Sequence, residues 1–195
     1  MAGLPHFKNS TAGPAKYEPL YLNQFEVIIT PPPLVSGKIG FGNNLMLEHV
    51  LKVSTLPEFS GSGSAVVTQN YKFSQRTYAP AKPAQTYHQF TIEFEVNLNN
   101  NNDMYIYNAL RSWGDLIYDP LTGRQGLKAD YADASIQVTM FNRAGVIYRD
   151  FVFGPVFLGP AKMTETVLDY TQDNSIYKLT AQFTADTYKE TRIGQ

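Results

Sequence analysis

The sequence predicts a mainly β protein in which one α-helix separates two groups of strands. Apolar and polar residues alternate without an error over residues 90–98, the pattern of a strand with one buried face and one wet face. Residues 177–186 alternate in the same way. Between these segments, residues 104–118 carry apolar side chains at helical spacing, which predicts an amphipathic helix. The apolar stripe of this helix consists of Ile106, Leu110, Trp113 and Ile117.

Weaker patterns predict further strands. The candidate segments are residues 24–30, 45–53, 66–78, 135–141, 146–153 and 163–168. We interpret residues 66–78 as one extended stretch, so that it and the strand 90–98 each present a polar face. These faces carry Thr68, Asn70, Lys72, Ser74 and Arg76 on the first segment, and Thr91, Glu93, Glu95 and Asn97 on the second.

Helix-capping residues, proline and glycine set the expected boundaries of the helix, the arm and the loops. Asn102 or Asp103 is expected to cap the first turn of the helix, and Pro120 with Gly123 to end it. Residues 1–19 are polar and interrupted by Pro and Gly, so we expect an N-terminal arm that is mobile unless a partner holds it. Residues 20–195 then form the β domain. Loops are expected at residues 31–44, 58–64 and 79–86.

Charge and composition argue against several classes of protein. The chain has 16 Lys and Arg against 17 Asp and Glu, without the basic stripe that gripping nucleic acid requires. It has no apolar run of about 18 residues, so a membrane-spanning helix is not expected. Residues 1–16 lack the apolar core of a secretory signal, which favours a soluble protein made in a cytoplasm. Cysteine is absent, which excludes disulfides, thiol catalysis and Cys-ligated zinc.

The high aromatic content favours a protein surface that binds other protein chains. The chain has 13 Tyr and 12 Phe, while charged residues make up only 17%, against about 25% in typical domains. Tyrosine offers wide contact area and a polar tip at low entropic cost, so such a composition suits a protein that buries much of its surface against other chains. An ordinary Tyr-rich β protein has the same composition.

The search for catalytic and ligand-binding motifs is negative. His6, His49 and His88 lie far apart and form no metal-binding spacing. Residues 99–103 and 169–174 lack the spacing of a calcium loop, and residues 61–64 lack a dinucleotide or phosphate-loop fingerprint. Glu93 and Glu95 lie about 7 Å apart on one strand face, but such pairs are ordinarily a wet surface. We therefore expect no catalytic site, no metal and no cofactor.

The order of segments resembles the tail tube proteins of contractile-tailed phages and their relatives in contractile injection systems. The resemblance covers roughly residues 20–190 and is one of order and pattern. Its parts are Asn-Gln-Phe-Glu-Val at 23–27, Lys-Val-Ser-Thr-Leu-Pro at 52–57, a long polar hairpin, the strand 90–97, a helix with Ala109 to Trp113 at its centre, the segment 145–153, Leu-Asp-Tyr at 168–170, and a final strand ending near Tyr188.

The resemblance implies a small β-sandwich or split barrel with one flanking helix. In the family, six copies form a ring, rings stack into a tube, and each subunit lends four strands to a continuous inner β-barrel. The implied partners are further copies of the chain, a sheath protein, a baseplate and a tail terminator. DNA would pass through the lumen without specific binding. The resemblance implies no interaction with a membrane. The implied location is the tail of a virion that is assembled in a host bacterial cytoplasm and used for genome ejection.

The polar faces are the candidates for the lumen wall. We expect the lumen to be lined by Thr68, Asn70, Lys72, Ser74, Thr91, Glu93, Glu95 and Asn97. Acidic groups there would repel phosphate and oppose binding of DNA. On an isolated monomer the same faces would simply meet solvent. By analogy with the family, residues 31–44 and the N-terminal arm would bridge subunits or rings, and the helix would face a sheath.

Several other functions fit part of the pattern. A baseplate-proximal tube initiator, a non-contractile siphophage tube and a type VI secretion ring share the expected fold. A carbohydrate-binding β-sandwich belongs to a different class, and it would be a monomer with two or three coplanar exposed aromatic rings. Of these functional classes, an enzyme is the one that the sequence favours least.

Overall fold

Two four-stranded antiparallel sheets and a separate two-stranded hairpin form the framework. The computed structural model describes residues 22–57, 67–78, 87–98, 104–163 and 176–192. The strands are β1 Phe25–Thr30, β2 Val50–Ser54, β3 Val67–Tyr71, β4 Ser74–Tyr78, β5 His88–Glu95, β6 Ser135–Phe141, β7 Ile147–Phe153, β8 Val156–Met163, β9 Lys178–Ala185 and β10 Tyr188–Arg192. The α-helices are α1 Leu45–Glu48, α2 Tyr105–Ile117 and α3 Lys128–Tyr131, and two 3₁₀ turns span Pro33–Val35 and Ile39–Asn44.

The two larger sheets share one apolar layer. Sheet A has the strand order β1-β6-β7-β10, and sheet B has the order β2-β5-β9-β8. Alternation along each strand sends one set of side chains into this layer, as in Phe90, Ile92 and Phe94 of β5, all at most 1% exposed. Phe90 of sheet B stacks on Phe153 of sheet A with ring centroids 4.3 Å apart. The mainly β fold with one long flanking helix is therefore confirmed.

Helix α2 closes one side of this layer. Ile106, Leu110 and Trp113 are buried, as the helical spacing predicts, and Ile117 is partly buried. The Trp113 ring lies 5.7 Å from the ring of Phe183 on sheet B, and its Nε1–H donates a hydrogen bond of 2.8 Å to the Tyr131 carbonyl. Because a buried indole N–H needs an acceptor, this bond fixes α3 beside α2.

Residues 31–44 pack against the chain's own helix instead of forming a plain loop. Val35 is buried, and the Phe41 ring meets the Trp113 ring edge-on at 6.0 Å. Gly40 lies so close to α2 that an added Cβ would come within 2.5 Å of the Tyr105 carbonyl oxygen. Only Gly allows this approach, and the segment thereby covers the helix.

Two strand predictions are wrong in part, and the set of predicted strands is incomplete. Residues 66–78 do not form one stretch, because the chain turns at Lys72 and Phe73 and β3 pairs with β4. The predicted strand 45–53 begins with helix α1, and β2 starts only at Val50. The strand β8 is missing from the prediction, since Gly159 and Pro160 interrupt its pattern and its pairing with β9 shifts register there.

The helix begins one residue later than predicted and without a side-chain cap. Met104 occupies the N-cap position and makes no capping hydrogen bond through its side chain. The predicted caps Asn102 and Asp103 lie outside the described residues, as do residues 1–21, 58–66, 79–86 and nearly all of the predicted strand 163–168. The predicted strands 24–30, 135–141 and 146–153 match β1, β6 and β7 to within one residue.

The close approach of Gly40 to α2 gives a direct test of the packing. Gly40→Ala should lower the free energy of unfolding by about 1–3 kcal/mol, because its methyl group would overlap Tyr105 and the Ala109 Cβ. Gly42→Ala is the matched control, since nothing lies within 4 Å of its added Cβ. Urea denaturation should show a change of less than about 0.5 kcal/mol for the control. Equal effects of the two substitutions would contradict the described packing.

Candidate functional site

The outer face of sheet B is a continuous polar surface. Because partners opposite each other in a sheet point to the same side, the register defines rows of side chains across all four strands. One row consists of Lys52, Glu93, Thr180 and Lys162. The next row contains Ser54, Thr91 and Gln182, and Glu95 stands opposite Lys178. The predicted polar residues Thr91, Glu93 and Glu95 are thus brought together with polar residues of three other strands.

The charge of this surface is mixed, whereas the sequence led us to expect an acidic one. Glu93 and Glu95 share it with Lys52, Lys162 and Lys178. The Lys178 Nζ lies 3.3 Å from the Glu93 Oε1, so this carboxylate is already paired within the chain. An exposed pair of this kind contributes little to stability, but it removes local negative charge. Simple repulsion of phosphate by Glu93 and Glu95 therefore does not describe this face.

The three lysines of this face were missed for different reasons. Lys178 alternates with Leu179 in the predicted strand 177–186, so its outward direction was readable from the sequence. Lys162 lies in β8, which was not predicted. The contribution of Lys52 depends on the pairing of β2 with β5, which local patterns do not specify.

Asn97 belongs to a junction beyond the end of the strand. β5 ends at Glu95, and the Asn97 Nδ2 lies 3.3 Å from the Nδ1 of His49. The other ring nitrogen of His49, Nε2, lies 2.5 Å from the Tyr105 hydroxyl oxygen at the start of α2. Asn97 thus links β5 to the helix through His49, and it is not a member of the cross-strand rows.

The hairpin β3–β4 separates the other predicted lumen residues. Thr68 stands opposite Thr77, and Asn70 opposite Gln75, so these four side chains share one face. Ser74 stands opposite Tyr71 on the other face, and Lys72 lies in the turn. The expectation of one polar face with Thr68, Asn70, Lys72 and Ser74 is therefore wrong, because it assumed an unbroken strand. Every described residue from Val67 to Tyr78 is exposed.

His88 is a titratable group at the start of β5, at one end of sheet B. His88, the first residue of β5, packs edge-on against the Tyr188 ring with centroids 4.2 Å apart. Partial burial lowers the pKa of His88 below its ordinary value, because loss of water disfavours the imidazolium form. This histidine is therefore a neutral packing residue near pH 7.

Neither a metal cluster nor a membrane helix is found in the part of the chain that the structure describes. No group of three or more His, Asp or Glu side chains there could hold a metal ion. No helix among the described residues has the length and apolar character needed to cross a bilayer.

Known structures share this arrangement of sheets and helices. No protein-family model matches the chain, and no curated protein matches it. A chain of the sheath–tube complex of the PVC extracellular contractile injection system, in its extended state, aligns with a TM-score of 0.54 and 13% identity over 94% of this chain and 98% of that chain. A chain from the sheath/tube terminator of the same system gives 0.53 and 13% identity over 90% and 99%. A chain from the anti-feeding prophage baseplate gives 0.51 and 11% identity over 92% and 99%.

The fold is therefore that of components of contractile injection systems. The alignments run over nearly the whole length of both chains, so the likeness extends to the flanking helix and both sheets. At 11–13% identity the likeness establishes the fold alone.

Proposed function

We propose that this chain is a structural subunit of the tube of a contractile particle. Copies would join through sheet B into a ring, rings would stack, and the outer face of sheet B would line the channel. The role is mechanical and not enzymatic. The observation that carries the proposal is sheet B itself. As far as the structure describes the chain, it is a four-stranded antiparallel sheet with an apolar inner face, a polar outer face and two edge strands, β2 and β8.

The open edges are compatible with closure by further copies. Within the described residues β2 and β8 each pair with one strand only, and on the outer side of β8 the Val156 N–H donates to the Ala134 carbonyl. Every neighbouring pair in sheet B is antiparallel, so β2 and β8 run in opposite directions. Placing β2 of one copy beside β8 of the next would therefore continue the antiparallel order. Closure would satisfy the unpaired backbone groups and remove edges that otherwise invite aggregation.

Strand geometry gives a channel of useful width. Six copies, the number that the family resemblance implies, would supply about 24 strands. At about 4.8 Å spacing and a tilt of about 40°, they enclose a circumference of about 150 Å and a backbone diameter near 48 Å. Even after the side chains occupy part of this diameter, such a channel admits a DNA duplex or a small folded protein.

The polar rows suit a wall along which cargo slides. Thr91, Thr180 and Gln182 offer neutral hydrogen-bonding groups, and Glu93 is paired with Lys178. A wall with both signs of charge binds neither cations nor anions strongly. Thr68 and Asn70 remain candidates at the hairpin, which the chain forms between β2 and β5. Ser74 and Lys72 point elsewhere on the hairpin and are weaker candidates.

The proposal includes the partners of such a particle. A tube of this kind would be surrounded by a sheath, start at a baseplate and end at a terminator. The aligned chains come from a sheath–tube complex, a sheath/tube terminator and a baseplate, which supports this set of partners. In a phage tail the cargo is DNA and the location is the virion, and in an injection system the cargo is a different one. Copy number in the particle separates a main tube subunit from a baseplate-proximal initiator.

The described aromatic residues do not favour the carbohydrate-binding alternative. On the exposed hairpin, Tyr71 and Tyr78 share a face, but Tyr71 stands beside the turn and Tyr78 at the open end. The Arg76 guanidinium lies over the Tyr71 ring, 5.7 Å from its centroid. A sugar would need the free face of such a ring, and a pair of coplanar rings would be needed for useful affinity.

Electron microscopy of the purified protein tests assembly and the edge contact together. We expect rings or hollow tubes for the unaltered chain and none for Leu51→Glu, which places a charge on the exposed edge strand β2. Val152→Glu is the matched control, because Val152 is similarly exposed, at 38% against 42% for Leu51, and lies on sheet A. An unaltered chain that stays monomeric at high concentration would contradict the proposal. So would a Leu51→Glu variant that assembles normally.

Charge reversal tests the lumen wall in a particle that delivers DNA. The double variant Glu93→Lys, Glu95→Lys leaves only lysines on the charged positions of this face. Tubes should still form, but DNA release should be slower, because phosphates would bind the wall. The neutral variant Glu93→Gln, Glu95→Gln controls for loss of the carboxylates. Unchanged release kinetics in the double lysine variant would show that this face does not line the channel.

A further inference from the structure

A groove lies between helix α2 and the edge strand β8, on the inner side of sheet B. Its floor is apolar and consists of Leu110 from the helix with Leu158 and Leu179 from the sheet. Arg111 and Asp115 stand exposed on the helix side of the groove. The groove has a volume of about 350 Å³ and is open to solvent. We name it the α2–β8 groove.

The groove is open because helix α2 covers only part of the inner face of β8. Ala161 stands opposite Ala181, which is fully buried, so both side chains point to the inner face. The helix covers the same face at Leu158, where a Cβ added to Gly114 would lie 4.0 Å from the Leu158 Cδ2. Ala161 is nevertheless exposed. Apolar inner surface is therefore uncovered at the strand edge where the proposed ring places the next copy.

The register of β2 identifies the side chain that the next copy would bring to this edge. Lys52 stands opposite Glu93 and belongs to the outer face. Leu51 precedes it at a register shift and lines the groove between β1 and β2 on the inner side. Leu51 is 42% exposed, so it is the apolar side chain of β2 that is least covered within a single copy.

We propose that, in the ring inferred above, Leu51 of one copy packs into the α2–β8 groove of the next, a contact that rests on the proposed function. Rotation about the tube axis keeps the outer face of every sheet B towards the lumen. The inner side chains of β2 therefore arrive on the helix side of β8. The strand β2 has five residues and β8 has eight, so β2 fits along the part of β8 beyond Val156, whose N–H already donates to the Ala134 carbonyl.

The lining of the groove favours a protein side chain over a small polar ligand. Sites for small molecules carry a few polar groups placed inside the pocket. Here the polar side chains Tyr107, Arg111 and Asp115 all belong to the exposed or half-buried helix side, and the floor is apolar. An apolar centre with a polar rim is the anatomy of a protein–protein contact. Insertion of Leu51 would remove apolar surface of both copies from water.

Chemical cross-linking tests the contact in the full chain. The sequence has no cysteine, so two introduced thiols report on one pair of positions. The variant Leu51→Cys, Ala161→Cys, treated with a short bismaleimide under assembly conditions, should give a ladder of covalent oligomers on a denaturing gel. The variant Val152→Cys, Ala161→Cys is the matched control, because Val152 is 38% exposed and lies on sheet A. It should remain monomeric on the gel.

A size exchange across the contact gives the second arm of the experiment. Ala161→Trp fills the groove, and because Ala161 is exposed, urea denaturation of the monomer should be unchanged. Ring formation should need at least about tenfold more protein, since loss of the burial of one leucine weakens an association by this factor or more. Adding Leu51→Ala to the same chain should restore assembly in part, because it makes room for the indole.

The outcomes separate the contact from the ring itself. Rings or tubes that are visible by electron microscopy but give no cross-link between positions 51 and 161 would overturn the contact and leave the proposed function standing. Normal assembly of Ala161→Trp would overturn the contact in the same way. An unaltered chain that forms no rings would contradict the proposed function, and the contact would fail with it.

A ladder for the first pair and rescue by the size exchange would establish that Leu51 occupies the groove of the next copy.

Discussion

The shared apolar layer between sheets A and B is the constraint on which the rest of the structure depends. Phe90 stacks on Phe153 across this layer, and Trp113 closes it from the helix side. Since side chains alternate along a strand, burial of one face leaves the other face of sheet B as an ordered polar surface. The same layer determines which strands lie at the edges, because in the described part of the chain the four strands of each sheet cover the core without closing on themselves.

This division of faces connects the fold to the proposed role. A subunit of a tube needs a stable core of its own and, at the same time, a wet wall and joinable edges. Sheet B combines these features, with Phe94 and Glu93 adjacent in sequence on opposite faces. The mixed charges of the outer face come from strands far apart in sequence, so the character of the proposed channel would be a property of the folded sheet.

Local patterns predicted the elements whose burial is regular. The strand around Phe90–Phe94 and the helix around Leu110–Trp113 carry strict periods, and the structure places both as expected. The prediction failed where pairing or tertiary contact decided the structure. The turn at Lys72 and Phe73 carries no Gly or Pro, and the Gly40 segment is ordered by its contact with α2. The lysines of the polar face could not be assembled from the sequence, because the strand order determines which rows they join.

Amide hydrogen exchange of the edge strands, before and after assembly, tests the central claim most directly. The account predicts that the outward-facing amides of β2 and β8 exchange freely in the monomer and become protected together in the assembled particle, apart from Val156, whose N–H already donates to the Ala134 carbonyl. The amides of β5 and β9 should be protected in both states. Edge amides whose exchange is the same in monomer and particle would contradict it, because the copies would then be held by some other surface.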